Sequence, residues 1–308
     1  MLAYLNTPNE AAPVARREVE EPRPAAHEAL VEVYAFSLNR GELALLERRP
    51  AGWRPGQDVA GIIAAQAADG SGPPAGTRIV GLVEGSGFAE RVAVRTSRMA
   101  TLPAAAKFED AAALPIPGLT ALRALRRGGL LLDTPVMITG ATGIVGALAV
   151  RLAADAGARV TAVARADAAE TLRALGAREV VATPAEASGR FALILESSGG
   201  DTLKGAIGRV APGGVIVVYG NTSREPTPFA FADFATAQNA RIESLYHFTA
   251  EPEPAFAADL ALLAARLGDG RLAPAISGVH DWAELPAVIT AQRGARFRGK
   301  PVFRVKAA

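Results

Sequence analysis

One glycine-punctuated turn carries the clearest chemistry in this sequence. Pro135–Ile138 is a short apolar run, and a helical pattern begins directly after the turn that follows it. Glycines let a backbone approach a phosphate closely, and the N–H groups at the start of a helix favour negative charge. Although Ala141 stands where the usual G-x-G-x-x-G has its first glycine, the arrangement predicts a binding site for a dinucleotide pyrophosphate. The residues of this predicted site are Gly140, Ala141, Thr142, Gly143, Ile144, Val145 and Gly146.

The residues after the turn strengthen the prediction, because glycine-rich turns also occur in α/β proteins that bind no nucleotide. Ala147–Ala156 has the apolar spacing of a helix, and Gly157 follows it as a stop. Val160–Ala164 is short and apolar, as buried parallel strands are. Strand, helix and strand together predict the βαβ unit that binds nucleotides.

The residue after the second strand indicates which dinucleotide is bound. NAD sites usually carry Asp or Glu here, to accept hydrogen bonds from the adenosine ribose. This chain has Arg165, with Asp167 two residues later. A guanidinium pairs with a 2′-phosphate that a carboxylate would repel. Arg165 therefore favours NADPH, and a solvated surface arginine is the alternative.

Composition narrows the class of protein. The chain has 308 residues, 50% of them hydrophobic, a formal net charge of +2 and no cysteine. This excludes disulfides, thiolate zinc sites and a thiol nucleophile. Basic residues are scattered, so nucleic acid is not an expected partner. Neither a signal-peptide pattern nor a membrane-length apolar run stands out, and we expect a cytoplasmic protein with no membrane partner.

Hydrophobic patterning predicts two kinds of domain. Short strands separated by Gly, Pro, Ser and Asp clusters predict a compact, barrel-like β domain up to about residue 118. Helical spacing follows over 109–127, and strand–helix alternation from 135 to about 245 then predicts about six parallel strands in a doubly wound sheet. The predicted strands are 30–36, 59–64, 78–83, 88–94, 135–138, 160–164, 179–182, 192–195, 215–219, 241–245 and 301–305. Further helices are predicted over 168–175, 202–209 and 255–267.

Several short strings occur in a characteristic order along nearly the whole chain. They are 33–39, 55–61, 87–90, 114–121, 175–177, 196–200, 212–214 and 299–300. Together with the glycine turn they resemble the medium-chain dehydrogenase/reductase superfamily, and within it the zinc-free, quinone-oxidoreductase-like (zeta-crystallin-like) branch. The resemblance implies an α/β fold that combines a GroES-like, β-rich catalytic domain with a Rossmann-type doubly wound parallel sheet. The implied domains are 1–118 for catalysis, 119–271 for NADPH, and 272–308 as a return to the catalytic domain.

The same resemblance bears on metal binding. Zinc-dependent relatives carry a cysteine where this chain has Asn39 and a histidine where it has Gln57. Amide side chains are poor zinc ligands, and a catalytic zinc needs three protein ligands. The three histidines lie on separate segments without ligand spacing. We therefore expect no metal.

The resemblance also implies residues that contact cofactor and substrate. Asn39 is the catalytic candidate, because its amide could hydrogen-bond a carbonyl or the cofactor ribose; the alternative is an Asx turn before Arg40. Ala44 stands where many relatives carry a tyrosine, so the usual proton donor is missing at this position, and Arg40 and Glu42 are polar neighbours that could compensate. Further implied cofactor contacts, each with an ordinary structural role as its alternative, are Thr120, Ser197, Gly220, Asn221, Phe248 and Lys300. The implied substrate-pocket residues are Arg40, Trp53 and Tyr246, with pocket walls formed by loops 42–53 and 246–254.

These features predict NADPH-dependent hydride transfer to a quinone or conjugated carbonyl. Quinone reduction is slightly favoured, because a hydroquinone anion can take its proton from water, whereas saturating a conjugated carbonyl more often needs a placed acid. The alternatives are reduction of an alkenal, enone or enoyl-thioester double bond, and a redox sensor that binds NADPH without turnover. The resemblance further implies a homodimer formed by pairing of the last sheet strand, near 241–245, across a two-fold axis.

Overall fold

The computed structural model describes residues 1–248, 255–294 and 299–306. The strands in chain order are β1 (Leu2–Asn6), β2 (Val14–Glu18), β3 (Glu28–Ser37), β4 (Asp58–Ala65), β5 (Arg78–Leu82), β6 (Arg91–Arg95), β7 (Met99–Thr101), β8 (Pro135–Ile138), β9 (Arg159–Val163), β10 (Glu179–Val181), β11 (Phe191–Glu196), β12 (Val210–Val218), β13 (Arg241–Ser244), β14 (Ile276–Asp281) and β15 (Lys300–Arg304). The helices are α1 (Arg40–Arg48), α2 (Phe108–Ala112), α3 (Pro115–Arg126), α4 (Ile144–Asp155), α5 (Ala169–Ala174), α6 (Gly200–Ile207), α7 (Phe256–Gly268) and α8 (Leu285–Gly294). No helix among these residues is long and apolar enough to cross a membrane.

The chain divides into two units, the first formed by residues 1–119 with 253–308 and the second by 120–252. The first unit is built on a seven-stranded sheet in the order β14-β15-β3-β4-β5-β7, with β6 paired to β3. Alternate residues of β3 point into its core, where Phe36 stacks near Phe88 and Phe303. The sheet brings the ends of β15, β3 and β4 side by side, and Ser37 lies opposite both Asp58 and Val302.

The second unit contains a six-stranded sheet in the order β10-β9-β8-β11-β12-β13, and every pair in it is parallel. Counted from β8 this is the order 3-2-1-4-5-6 of a dinucleotide-binding sheet. Its central strands are fully buried at Val136–Ile138 and Leu193–Leu195. Strands covered on both faces need continuous apolar runs, which explains why these segments show no alternation.

The predicted fold class, the six parallel strands and the helix over 255–267 are confirmed, with element ends moved by a few residues. The helical spacing predicted over 109–127 is present in the structure as two helices, α2 and α3. Pro115 lacks an N–H and restricts the residue before it, so a helix can start at Pro115 but not continue through it. The loop predicted at 42–53 is wrong in its first half, which is helix α1. Residues 249–254 of the other predicted loop lie outside the described residues.

The division of the chain differs from the predicted domain boundary at 271. Helix α7 belongs to the first unit, where it packs against β7 and the 3₁₀ turn Thr96–Arg98. Gly118 shows the closeness of this packing, because a Cβ there would lie 2.8 Å from a methyl carbon of Leu263. Apolar periodicity identified the helix but carries no information about which sheet it covers.

Candidate functional site

The parallel sheet of the second unit has one point at which the order of its strands reverses. From β8 the chain moves to β9 on one side, whereas from β11 it moves to β12 on the other. Loops on the two sides lead away from each other and leave a crevice at the carboxyl ends of β8 and β11. The predicted pyrophosphate turn follows β8 directly, so the structure places it at this switch point.

The turn presents backbone donors at the start of α4. Gly140 has φ +57°, and the Gly143 N–H donates to the Gly140 carbonyl at 2.9 Å. Gly143 is the N-cap of α4 and has no side chain to accept a hydrogen bond from the first-turn N–H groups of Val145 or Gly146. A Cβ on Gly146 would lie 2.5 Å from the Gly140 oxygen, so only glycine lets the helix pack this tightly on the turn. Uncapped N–H groups at a switch point suit a pyrophosphate.

A buried carboxylate at the end of β11 accepts hydrogen bonds from the residues around it. Glu196 is fully buried, and it accepts hydrogen bonds from the Thr139 hydroxyl at 3.1 Å and from the N–H groups of Ser198 at 2.8 Å and Gly199 at 3.1 Å. Burial raises the pKa of Glu196, and the hydrogen bonds oppose that shift. No role for Glu196 was predicted from the sequence, although an acid directly after a buried apolar strand was a signal.

Three of the implied cofactor contacts gather here. A Cβ on Gly140 would lie 2.7 Å from the Ser197 hydroxyl, and one on Gly220 would lie 3.2 Å from the Ser197 carbonyl. Asn221 follows Gly220, and its side-chain oxygen accepts from the Arg224 N–H at 3.1 Å. The structure thus brings Ser197, Gly220 and Asn221 together near the turn, with Asn221 also serving as a turn residue.

Arg165 lies two residues beyond the end of β9, which is the strand next to β8 in the sheet. Its side chain is 56% exposed and forms an ion pair with Asp167 at 3.3 Å. The guanidinium is therefore open to solvent at the strand end where a 2′-phosphate is expected, with one carboxylate beside it.

Thr120 lies against His247, the residue before Phe248. The Thr120 hydroxyl is 2.9 Å from Nε2 of His247, the neighbour of Phe248. Burial, with a smaller contribution from Arg123, lowers the pKa of His247 to about 4, so the ring is neutral at physiological pH. The sequence pattern indicates only an ordinary histidine at this position, and its pairing with Thr120 is visible only in the fold.

The first unit contains a buried polar cluster at the ends of three adjacent strands. It consists of Asn39, Asp58 and Lys300, of which Asp58 and Lys300 are 0% exposed and Asn39 is 6% exposed. The Lys300 ammonium donates to Asn39 Oδ1 and, at 2.6 Å, to Asp58 Oδ2. Asn39 Nδ2 donates to the same Asp58 oxygen at 2.9 Å. Lys300 was implied as a cofactor contact, but its buried ammonium is engaged by the catalytic candidate and its neighbour.

Glu42 lies next to this cluster. Asn39 is the N-cap of α1, and its backbone N–H donates to the fully buried Glu42 carboxylate at 2.8 Å. Burial is the main cause that raises the pKa of Glu42 to about 8, and the charge of Asp58 adds to it. Lys300 and backbone N–H groups act in the opposite direction.

The implied substrate-pocket residues are spread over both units. Arg40 is exposed at the start of α1, and Trp53 is partly buried, with the Arg49 guanidinium 5.7 Å from its ring centre. Tyr246, in the second unit, is 72% exposed. Within 1–248, 255–294 and 299–306, no three or more His, Cys, Asp or Glu residues form a group that could hold a metal ion.

Comparisons with known proteins agree with this geometry. Residues 145–264 match the family described as zinc-binding dehydrogenase. The chloroplast envelope quinone oxidoreductase homolog of Arabidopsis thaliana is 34% identical over 58% of this chain and 60% of that protein. The spectinabilin polyketide synthase system protein NorB of Streptomyces orinoci is 31% identical over 98% of this chain, which corresponds to 14% of that protein. The chain therefore spans less than two thirds of the length of these curated relatives.

A solved structure extends the likeness to the whole chain. The quinone oxidoreductase from Thermus thermophilus, whose complex with NADPH was also determined, superposes with a TM-score of 0.82 and 29% sequence identity, covering 99% of this chain and 100% of that one. Together with the strand order and the glycine turn, these likenesses support the medium-chain dehydrogenase/reductase superfamily, in its quinone-oxidoreductase-like branch, as the family of this chain.

Proposed function

We propose that this protein is a zinc-independent oxidoreductase that uses NADPH to reduce a quinone or another conjugated carbonyl by direct hydride transfer. The observation that carries the proposal is the uncapped glycine turn at the switch point of a 3-2-1-4-5-6 parallel sheet. The likeness to a quinone oxidoreductase determined with NADPH supports it.

The preference for NADPH rests on Arg165. Its exposed guanidinium would form charge-assisted hydrogen bonds with a 2′-phosphate, which are worth about 1.5–3 kcal/mol. Asp167 competes for that guanidinium, because it accepts from the Arg165 Nη2 group at 3.3 Å. The phosphate carries more charge than the carboxylate, so we expect Arg165 to turn from Asp167 to the cofactor.

The zinc-independence rests on the donor set. Asn39 and Gln57 occupy the positions at which zinc-dependent relatives carry thiolate and imidazole ligands, and the sequence has no cysteine. The Lys300 ammonium already binds Asn39 Oδ1 and Asp58 Oδ2, so these oxygens are not open to a metal ion.

The chemistry divides between cofactor and protein. When bound, the dihydronicotinamide supplies the hydride. The protein residues would hold the pyrophosphate at Gly140–Gly146, and an N–H of Asn39 would donate to the oxygen of the acceptor. Ala44 offers no acid at the position where many relatives carry tyrosine, so the product would take its proton from water.

Turnover against a panel of acceptors tests the proposal. Oxidation of NADPH is followed by nicotinamide absorbance with quinones, 2-alkenals and enones, with NADH in parallel. Reduction of quinones, faster with NADPH, is the expected result. Binding of NADPH without reduction of any acceptor would contradict it and favour a redox sensor.

Reduction of an activated double bond is the second candidate. The observation that favours it is the match of 98% of this chain to part of a polyketide synthase system protein. The substrate would then be an enoyl thioester or a 2-alkenal. Turnover of either compound faster than any quinone would establish this candidate in place of the first.

We also propose a cytosolic homodimer. In the described part of the second unit β13 is an edge strand, and pairing with its copy in a partner would hide the open backbone groups. Light scattering should give twice the monomer mass, and a monomer at micromolar concentration would refute the dimer. Fractionation of source cells tests the location.

A further inference from the structure

The buried cluster of Asn39, Asp58 and Lys300 does more than anchor strand ends. We infer that Lys300 and Asp58 are positioning residues, which lock the Asn39 side-chain amide in one orientation and present one of its Nδ2 hydrogens to the oxygen of a substrate or cofactor. The inference rests on the proposed function, because it assigns Asn39 to the reacting oxygen.

The partners of Asn39 fix its orientation unambiguously. An ammonium can only donate and a carboxylate can only accept, so the atom bound to Lys300 is Oδ1 and the atom bound to Asp58 is Nδ2. In a flipped amide, Nδ2 would face the Lys300 ammonium, so that a donor faces a donor. Oδ1 would face the Asp58 carboxylate, so that an acceptor faces an acceptor. Of the two Nδ2 hydrogens, Asp58 takes one, and the other remains for a ligand.

The scaffold beneath the cluster is rigid. Asn39 follows β3, Asp58 begins β4 and Lys300 begins β15, and these three strands are neighbours in one sheet. Asp58 is held a second time, because its Oδ1 accepts the Ile116 N–H at 2.9 Å near the start of α3. A donor on such a base does not need to be reoriented when charge develops on the substrate oxygen.

The charges suit this role better than a purely structural one. A buried ion pair is weak evidence for stability, since apolar residues of similar volume often serve the fold equally well. The Lys300 ammonium on Oδ1 draws electron density from the amide and makes its remaining N–H a stronger donor. Asn39, which is 6% exposed, is the one member of the cluster that is not fully buried.

Two measurements on Lys300→Met test the inference. Lys306→Met is the matched control, because Lys306 pairs with Glu32 in the same unit and is 40% exposed. The first measurement is the ¹⁵N–¹H NMR signal pair of the Asn39 side-chain NH₂ group, assigned by its loss in Asn39→Ala. In the wild type these two hydrogens should be well separated in shift and slow to exchange with water. Lys300→Met should bring them together and speed their exchange, whereas Lys306→Met should not.

The second measurement is steady-state kinetics in a double-mutant cycle. Lys300→Met should lower kcat about tenfold or more with little change in the Kd for NADPH. In an Asn39→Ala background it should have no further effect on kcat, because Lys300 acts through Asn39. Independent, multiplicative losses in the double variant would overturn the inference, and so would an unchanged NH₂ signal pair in Lys300→Met.

Lys300→Met leaves Asp58 charged and unpaired, so if it fails to fold, the double variant Asp58→Asn with Lys300→Met replaces it in both measurements. The asparagine introduced there is neutral and can still accept the Ile116 N–H through its side-chain oxygen. If the wild type reduces no acceptor, the proposed function fails, and the NMR measurement still decides whether Lys300 orients Asn39.

Discussion

Glu42 should make the protein less stable as the pH rises through neutrality, and Glu42→Gln should remove that trend. The carboxyl group is fully buried beside Asn39 and Asp58, and burial raises its pKa from the model-peptide value of 4.5 to about 8. A raised folded-state pKa means that the folded protein holds the proton more tightly than the unfolded chain. The stabilisation is complete below pH 4.5 and is lost as the pH rises through about 8.

The magnitude follows from these two values. Between pH 6 and pH 8 the unfolded chain carries an ionised Glu42, whereas the folded protein changes from almost fully protonated to half ionised. Each pKa unit corresponds to about 1.4 kcal/mol, so the wild type should lose about 2 kcal/mol of unfolding free energy over this range relative to Glu42→Gln. The glutamine of this variant keeps an oxygen that can accept the Asn39 N–H, so the cap of α1 is retained.

Urea denaturation of the wild type and Glu42→Gln at several pH values checks this difference. Glu47→Gln, on the exposed side of the same helix, is the matched control and should follow the wild type. Stability curves for the wild type and Glu42→Gln that run parallel from pH 6 to pH 8 would show that Glu42 is not a buried, protonated acid.

Three further predictions concern the second unit. Gly146→Ala should destabilise the protein by about 1–3 kcal/mol, because its Cβ would lie 2.5 Å from the Gly140 oxygen, while Gly143→Ala, at 3.2 Å from the same oxygen, should cost less. Thermal melts decide this, and equal losses would contradict the close approach at Gly146. Arg165→Gln should reduce the preference for NADPH over NADH in kcat/KM by about one to two decades, whereas Arg173→Gln on α5 should not; an unchanged ratio would remove Arg165 from the 2′-phosphate site. His247→Gln should flatten the acid side of the stability profile, because burial lowers the pKa of His247 to about 4 and the wild type loses that contribution as the pH falls from 6.5 towards 4. Urea titrations at about pH 7 and about pH 4.5 test it, and an equal acid loss in both proteins would rule it out.

Much of the parallel sheet could be predicted because its signals are local. Segments 160–164 and 192–195 are apolar except for Thr161, which is typical of strands covered on both faces, and β9 and β11 lie there. Helix α1 was missed because Arg40–Arg48 begins with Arg-Gly and directly follows an asparagine, which also suits a turn. Its stability comes from the contacts of Leu43 and Leu46 with the core of the first unit, which no local pattern reveals.

One part of the candidate site could likewise be predicted from the sequence, and another part could not. The turn Gly140–Gly146 could be found from spacing alone, because consecutive residues form it. The partnership of Lys300 with Asp58 could not, since the two residues are 242 positions apart and meet only when β15, β3 and β4 align. One signal was available: Asp58 opens an otherwise apolar strand, where a charged residue has to be paired.

In the proposed function the two candidate sites would stabilise negative charge by different means, and this difference sets which substitutions each can tolerate. The turn would use backbone N–H groups, so a residue such as Ala141 can replace the usual glycine wherever its Cβ has room. The cluster of Asn39, Asp58 and Lys300 uses side chains, whose charges must balance because all three are buried. Lys300 and Asp58 cancel, and Glu42 adds no charge below about pH 8. A neutral but strongly polarised cluster can therefore hold an amide N–H towards a developing oxyanion without a metal ion, provided that its neighbouring acid stays protonated.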